Sequence, residues 1–191
     1  MEFVIMLLVV VVTFGGCFLF DKGFEKIFRN KAQHHSGLTV RLNKRYIAFG
    51  FIMIALGVAS ILAGLNDTAI LIAGGILILV VGAALVVYYT TFGVFYDDDS
   101  FLLTTFGKKS TIYPYQEIKG QRLYIVQGGN VVVELHMSDG RSVSLQSTMI
   151  GVYPFLDHAF AAWCRQTGRD SESCDFHDPE NHLWFPTMED K

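Results

Sequence analysis

Residues Thr68 to Tyr89 form an apolar segment without a single Lys, Arg, Asp, Glu or His. At about 1.5 Å per residue, a helix of this length spans a hydrocarbon core roughly 30 Å thick. Two similar segments lie upstream, Phe3 to Phe20 and Tyr46 to Leu65. After Thr91 the pattern changes to short alternating segments separated by turn residues. The sequence therefore predicts three transmembrane helices within residues 1–90, followed by one small folded domain.

Charge is distributed unevenly along the chain. Residues 21–45, the link after the first apolar segment, carry seven Lys/Arg and two Asp/Glu, whereas residues 91–191 carry eight basic and fourteen acidic side chains. The positive-inside rule places the basic link in the cytoplasm. The amino terminus then faces outward, and the domain after Thr91 lies on the cytoplasmic side of the plasma membrane. An acidic domain lacks the basic face that nucleic acid binding requires, which excludes a nucleic acid partner.

Basic and aromatic side chains occur where a membrane interface is expected. Within the link, basic residues surround a helical face of Phe24, Ile27 and Phe28, which predicts a short interfacial helix attracted to the anionic inner leaflet. A plain topogenic charge cluster is the alternative. Tyrosines at the cytoplasmic ends of the second and third segments form an interfacial belt. The predicted interface residues are Lys22, Lys26, Arg29, Lys44, Arg45, Tyr46, Tyr88 and Tyr89.

Glycines recur every seven residues in the second and third apolar segments. Such a stripe lets two helix backbones approach closely and pack by van der Waals contact in lipid. Because only Asn66 and Asp67 separate the two segments, they must be antiparallel neighbours. The absence of ionisable residues inside all three segments argues against a transporter or an ion channel. The predicted helix-packing residues are Gly50, Gly57, Gly64, Gly75 and Gly82.

The pattern of residues 91–169 predicts about six or seven short antiparallel strands followed by one helix. Phe92 to Tyr96 is typical of a strand, Pro114 places the third strand at an edge, and the pair Asp139-Gly140 favours a tight hairpin turn. After Gly151 the apolar positions change to a helical period. They form one face, suited to cover the open end of a small sheet, which comprises Val152, Phe155, Leu156, Ala159, Phe160, Trp163 and Cys164.

The order of elements resembles that of the bacterial pleckstrin-homology-like (PH-like) domain. It consists of two strands, the segment Ile112 to Ile118, a hairpin with Asp139-Gly140 and a closing amphipathic helix. The resemblance covers Thr91 to Gly168. It implies a small, partly open antiparallel β-barrel capped by the helix, which is a binding scaffold whose fold does not decide its ligand. Phosphoinositide-binding members carry basic residues around the first hairpin, whereas this chain has Asp97-Asp98-Asp99 there. Acids repel inositol phosphates, so we expect no phosphoinositide ligand.

The tail, residues 170–191, is acidic and polar except for one apolar segment. Leu183, Trp184 and Phe185 are predicted to dock, either on their own domain or on a partner protein. Cys174 and His177 have the spacing of a chelate, and His182 lies nearby. No second Cys/His pair accompanies them, so we predict neither a metal nor another cofactor.

Catalytic motifs are missing from the sequence: there is no nucleophile elbow, phosphate-binding glycine loop or His-Glu-x-x-His helix. The leading hypothesis is a non-catalytic PH-like interaction module, anchored at the inner membrane, that recruits a protein, a peptide or a second copy of the chain. One alternative is a membrane-structural or lipid-sensing protein that acts through the basic link and the glycine-striped helices. The other is a metal-dependent enzyme that uses the Cys and His residues of the tail.

Overall fold

The computed structural model describes residues 38–65, 68–106, 110–126 and 128–188. These residues belong to two compact units, one helical and one rich in β-strands. The helical unit includes residues 43–92, and the β-rich unit combines residues 38–42, 93–104 and the chain from 110 onward. The first predicted transmembrane segment and the interface residues Lys22, Lys26 and Arg29 lie outside the described residues.

The helical unit is a hairpin of α1, Arg45–Gly64, and α2, Ala69–Thr91. The two helices contain 20 and 23 residues and are apolar along their length, so both are long and apolar enough to cross a membrane. Two of the three predicted spans are thus found as helices in the described part of the chain. This composition supports membrane association.

The helix-packing glycines lie between α1 and α2. A Cβ atom added at Gly57 would be 2.7 Å from the Gly75 carbonyl oxygen, and one added at Gly82 would be 2.7 Å from the Gly50 carbonyl oxygen. A Cβ atom added at Gly64 would be 2.8 Å from the Ile72 side chain. Such distances are below ordinary van der Waals contact, so the backbones approach as closely as they do only because side chains are absent here.

The β-rich unit contains two antiparallel sheets with seven strands among the described residues. The first sheet has the order β1-β2-β3-β4 and the second the order β5-β6-β7. The strands are β1, Leu38–Val40; β2, Gly93–Tyr96; β3, Ser100–Thr104; β4, Thr111–Pro114; β5, Ile118–Val126; β6, Asn130–Met137; and β7, Ser142–Gln146.

The strands form two separate sheets and not the single, partly open barrel that the resemblance implied. β4 is the edge strand that Pro114 predicted, since a proline lacks the N–H needed to pair with a further strand. A short 3₁₀ turn, Tyr115–Glu117, then leads into β5, which begins the second sheet. The break at Pro114 therefore separates the two sheets along the chain.

Strand β1 was not predicted, because its three residues lie in the link that we assigned to the membrane region. Leu38 pairs with Tyr96 and Val40 with Val94, so β1 is an integral strand of the first sheet. Arg41 extends this pairing by two backbone hydrogen bonds to Ile150, of 3.0 and 2.8 Å. The folded domain is therefore discontinuous in sequence, with the helical hairpin inserted between β1 and β2.

Helix α3, Val152–Thr167, closes the β-rich unit. All seven residues of its predicted apolar face are buried. Phe155 meets the ring of Phe101 edge-on at 5.4 Å and the ring of Tyr96 at 5.0 Å, which joins α3 to the first sheet. Gly168 adopts a left-handed conformation (φ 69°) and ends the helix.

Candidate interaction surface

The tail segment 182–188 lies in a groove between α3 and β5, and Gln121 anchors it there. The side-chain oxygen of Gln121 accepts hydrogen bonds from the amides of Trp184 and Phe185, both of 2.9 Å. Its side-chain nitrogen donates to the His182 carbonyl at 2.8 Å. Its backbone N–H donates to the Pro186 carbonyl at 2.8 Å, and its own carbonyl accepts from the Met188 amide at 2.9 Å. One fully buried residue thus binds five backbone groups of the tail.

The tail joins β5 as a short extra strand. Gln121 and Thr187 form a parallel bridge, on the opposite edge of β5 from β6. Gly120 permits this approach, because a Cβ atom at that position would collide with the Pro186 carbonyl oxygen. The register of β5 against β6 also shifts between Ile118 and Gly120, as in a β-bulge. The edge of β5 is therefore shaped to accept an extended peptide.

Two aromatic side chains of the tail fill the groove. Trp184 is buried, and its indole N–H donates to the Asp157 carboxylate at 2.7 Å. Phe185 is buried edge-on against Trp163 at 5.8 Å and Phe160 at 6.2 Å. Leu183 is half-buried beside them. Aromatic anchors combined with backbone hydrogen bonds are the usual means by which a domain recognises an extended peptide.

The tail is organised locally before it reaches the groove. The Asp178 carboxylate accepts hydrogen bonds from the amide and the side chain of Asn181, at 3.3 and 2.7 Å, and these bonds lower the pKa of Asp178. Asp178 and Leu183 also exchange two backbone hydrogen bonds. His182 has a positive φ of 61°, which turns the chain toward β5. This small turn orients Trp184 and Phe185 for insertion.

The three candidate metal ligands have separate surroundings. His177 stacks face to face on Phe160 with 3.7 Å between ring centroids, and His182 stacks on Tyr153 at 5.8 Å. The Cys174 thiol lies 3.5 Å from the Asp170 carbonyl oxygen. Among the residues that the structure describes, no three His, Cys, Asp or Glu side chains are grouped so as to hold a metal ion. The histidines contribute flat aromatic surface to the groove.

The acidic turn between β2 and β3 is held by α3. His158 makes a 2.9 Å hydrogen bond to the Asp97 carbonyl, and Gln166 donates to the Asp99 carbonyl at 2.7 Å. Tyr115 also donates its hydroxyl to the Asp97 carbonyl at 2.8 Å, and burial raises the pKa of that tyrosine. The turn therefore uses its backbone carbonyls for contacts with α3.

An open cleft of about 510 Å³ borders the exposed side of α3 and includes Cys164, Arg165 and Arg169. Burial, followed by the neighbouring Cys174, raises the pKa of the Cys164 thiol to about 11. The Cys164 thiol is therefore protonated at neutral pH and is a poor nucleophile.

On the outer face of the second sheet, the Glu134 carboxylate lies 3.7 Å from the His136 ring nitrogen. A hydrogen bond between Glu134 and Ser142 lowers the pKa of the Glu134 carboxyl.

The described members of the predicted membrane-interface set lie at one end of the helical hairpin. Lys44 and Arg45 are exposed at the start of α1, next to Tyr46. Tyr88 and Tyr89 lie near the end of α2. Because the helices are antiparallel, these five residues share the end at which the chain enters and leaves the hairpin.

Sequence patterns missed the two polar residues that hold the tail, Gln121 and Asp157. Gln121 shares a face of β5 with Leu123, but a polar residue at that position gave no indication of the tail segment that it binds. The glycine inside β5, Gly120, was the available signal, since interior glycines often mark close backbone approach. Asp157 lies outside the predicted apolar face of α3, and the sequence did not indicate its partner.

Comparisons with known proteins add no family assignment. No protein-family model matches the chain, and neither a curated protein nor a solved structure matches it.

Proposed function

We propose that this protein is a membrane-anchored, non-catalytic interaction module that binds an extended segment of a protein partner in the groove now filled by its own tail. The observation that carries the proposal is the mode of tail binding. Gln121 pairs with the tail backbone on both sides of Trp184 and Phe185, whose rings enter the groove. A surface that accepts one extended peptide in this way has the chemistry to accept another of similar sequence.

A PH-like fold is part of this proposal. Its support is the succession of antiparallel strands in two sheets, the Asp139-Gly140 hairpin between β6 and β7, and the closing helix α3. This order departs from what the resemblance implied in two respects: β1 is an additional strand, and the strands form two sheets instead of one partly open barrel. PH-like folds are binding scaffolds, which is consistent with an interaction role without deciding the ligand.

The proposed location is the cytoplasmic face of the plasma membrane, with the chain crossing the bilayer several times and its amino terminus outside. β1 and β2 pair within one sheet, and the two apolar helices lie between them in sequence. A chain that crosses the membrane through α1 and returns through α2 ends on the side where it started. The basic link and the β-rich domain then share a side, which the positive-inside rule assigns to the cytoplasm.

Peptide exchange tests the proposed function. A protease site placed in the exposed stretch 170–173 allows the tail to be cut after the full chain has folded in lipid nanodiscs. A fluorescent peptide of residues 178–188 is then added. We expect binding only after cleavage, because the attached tail competes at a high effective concentration. The matched control is Gly120→Val, which blocks the edge of β5 and should abolish binding.

Two results would oppose the groove as a binding site. In one, the cut tail leaves and the folded domain still fails to bind the peptide. In the other, the Gly120→Val chain binds as well as the parent, which would place the peptide elsewhere. Hydrogen exchange of the amides that pair β6 with β7 reports folding in each case.

The glycine contacts favour a second candidate function, a membrane-structural or lipid-sensing role. Gly57 against Gly75 and Gly50 against Gly82 place the backbones of α1 and α2 in direct contact. A basic link next to such a hairpin would respond to anionic lipid. Flotation of vesicles with a peptide of residues 21–45 should then depend on anionic lipid and on salt, and indifference to both would reject this role.

A further inference from the structure

The tip of the β5–β6 hairpin presents apolar side chains to solvent on both faces. Ile125 is 81% exposed, and its neighbours Tyr124 and Val126 are 44% and 43% exposed. Opposite them on β6 lie Val131 and Val132, which are only half-buried. Soluble domains rarely leave a β-branched side chain this exposed at the end of a strand pair, because bare apolar strands favour association.

The arrangement of these side chains identifies the kind of surface that covers them. Successive residues of a strand point to opposite faces, so Ile125 lies on one face and Tyr124 and Val126 on the other. A peptide added along an edge of the hairpin would leave both faces in water. An apolar medium entered by the tip covers both faces at once, and a lipid bilayer is such a medium.

The tip of the hairpin is uncharged. Residues 123–133 contain no Lys, Arg, Asp or Glu, although the chain after Thr91 is acidic as a whole. The charged side chains of the hairpin lie toward its base, where Lys119 is exposed and Arg122 interacts with Glu134. A tyrosine beside an uncharged apolar tip is suited to the level of lipid headgroups, while the charged base stays in water.

The proposed arrangement brings the chain of the β-rich domain to a bilayer surface, because β2 begins at Gly93, two residues after α2 ends at Thr91. We propose that the β5–β6 hairpin inserts its tip, Tyr124 to Val126, into the surface of the membrane that anchors the chain. This inference goes beyond peptide binding and rests on the proposed membrane attachment, which the experiment below checks separately.

The test uses the full chain with its three cysteines replaced by alanine and one cysteine introduced for an environment-sensitive fluorophore. The label is placed at Ile125, at Ile112 or at Leu77. Ile112 is the matched control, an isoleucine of β4 that is 59% exposed. Leu77 is exposed on α2 and reports whether that helix lies in lipid. The protein is reconstituted in phosphatidylcholine vesicles with or without phosphatidylglycerol, and with or without lipids that carry a quenching group on the acyl chain.

We expect the label at Ile125 to emit at shorter wavelength and to be quenched by acyl-chain quenchers in both kinds of vesicle, while Ile112 shows neither effect. Quenching at Leu77 but not at Ile125 would overturn the hairpin proposal and leave the membrane attachment intact. A wavelength shift at Ile125 that depends on protein density, without quenching by lipid, would overturn the hairpin proposal and indicate that copies of the chain associate through the hairpin tip. Absence of quenching at Leu77 would overturn the membrane attachment itself.

Discussion

Truncation of Gln121 to alanine should release the tail from its groove. The substitution removes the side-chain partner of two buried amides, those of Trp184 and Phe185, and one partner of the His182 carbonyl. A buried amide left without a partner costs about 1–3 kcal/mol, so the two together weaken tail docking by about 2–6 kcal/mol. Since 1.36 kcal/mol is a factor of ten, opening of the groove should increase at least ~30-fold.

Hydrogen exchange at two backbone amides measures this opening. The Gln121 amide donates to the Pro186 carbonyl and the Met188 amide donates to the Gln121 carbonyl, so neither loses its partner through the substitution itself. Both exchange when the tail leaves. Gln116→Ala, at an exposed glutamine, is the matched control. If Gln121→Ala accelerated exchange at these amides no more than Gln116→Ala, the anchoring role of Gln121 would be refuted.

The variant Gln121→Glu separates the acceptor from the donor. Its carboxylate can still accept from the two tail amides, but it cannot donate to the His182 carbonyl unless it is protonated. Burial raises the pKa of the introduced carboxyl above the usual value of about 4.3. Because the docked state then holds the proton more tightly, docking is strongest below the unfolded pKa and weakens as pH rises through the folded pKa. If exchange of the same amides, corrected for the intrinsic pH dependence of amide exchange, did not change with pH, this account of the Gln121→Glu variant would be contradicted.

Three further predictions follow from glycine contacts and thiol burial. Gly57→Ala should destabilise the helical hairpin by about 1–3 kcal/mol because its Cβ meets the facing backbone, whereas Gly74→Ala, in open space, should not; thermal unfolding of the full chain in micelles compares them. Gly151→Ala should destabilise the β-rich unit by about 1 kcal/mol or more beyond the effect of Gly140→Ala. Both glycines have φ 82°, but only a Cβ atom added at Gly151 would contact a carbonyl oxygen of β1. Calorimetry would show equal losses if β1 were not part of the unit. Alkylation of Cys164 should stay slow until pH approaches its pKa of about 11. The stability due to burial of the neutral thiol should fall as pH rises above the unfolded thiol pKa. Rapid alkylation at pH 8, mapped by mass spectrometry, would oppose this.

Periodic patterns gave the main elements of the fold. The apolar segments after Tyr46 and Thr68 contained enough residues to specify α1 and α2, and the helical spacing from Val152 to Cys164 specified α3. The glycine spacing predicted which residues lie between the two apolar helices, since every seventh residue returns to nearly the same face. Such features depend on local sequence, and so they could be found without knowledge of tertiary contacts.

Long-range pairing was beyond the reach of the same patterns. β1 consists of Leu38, Thr39 and Val40, too few residues for a periodic signal, and its partner β2 lies beyond the two apolar helices. The burial of Gln121 depends on a tail segment more than sixty residues away, which turns a polar strand residue into a core residue. Closure of the sheets into a barrel was likewise expected from the resemblance rather than from pairing signals in the strands.

Photo-cross-linking from the rim of the groove tests the central claim most directly, namely that the tail occupies the groove of its own domain. Tyr153 is exposed and lies 5.9 Å from the Trp184 ring and 5.8 Å from the His182 ring. A photoreactive phenylalanine analogue at position 153 is activated in native membranes that contain light and isotope-labelled copies of the chain. We expect cross-links to residues 182–184 of the same copy. Cross-links to the tail of other copies, or none to residues 182–184, would contradict the structure on which the proposed function depends.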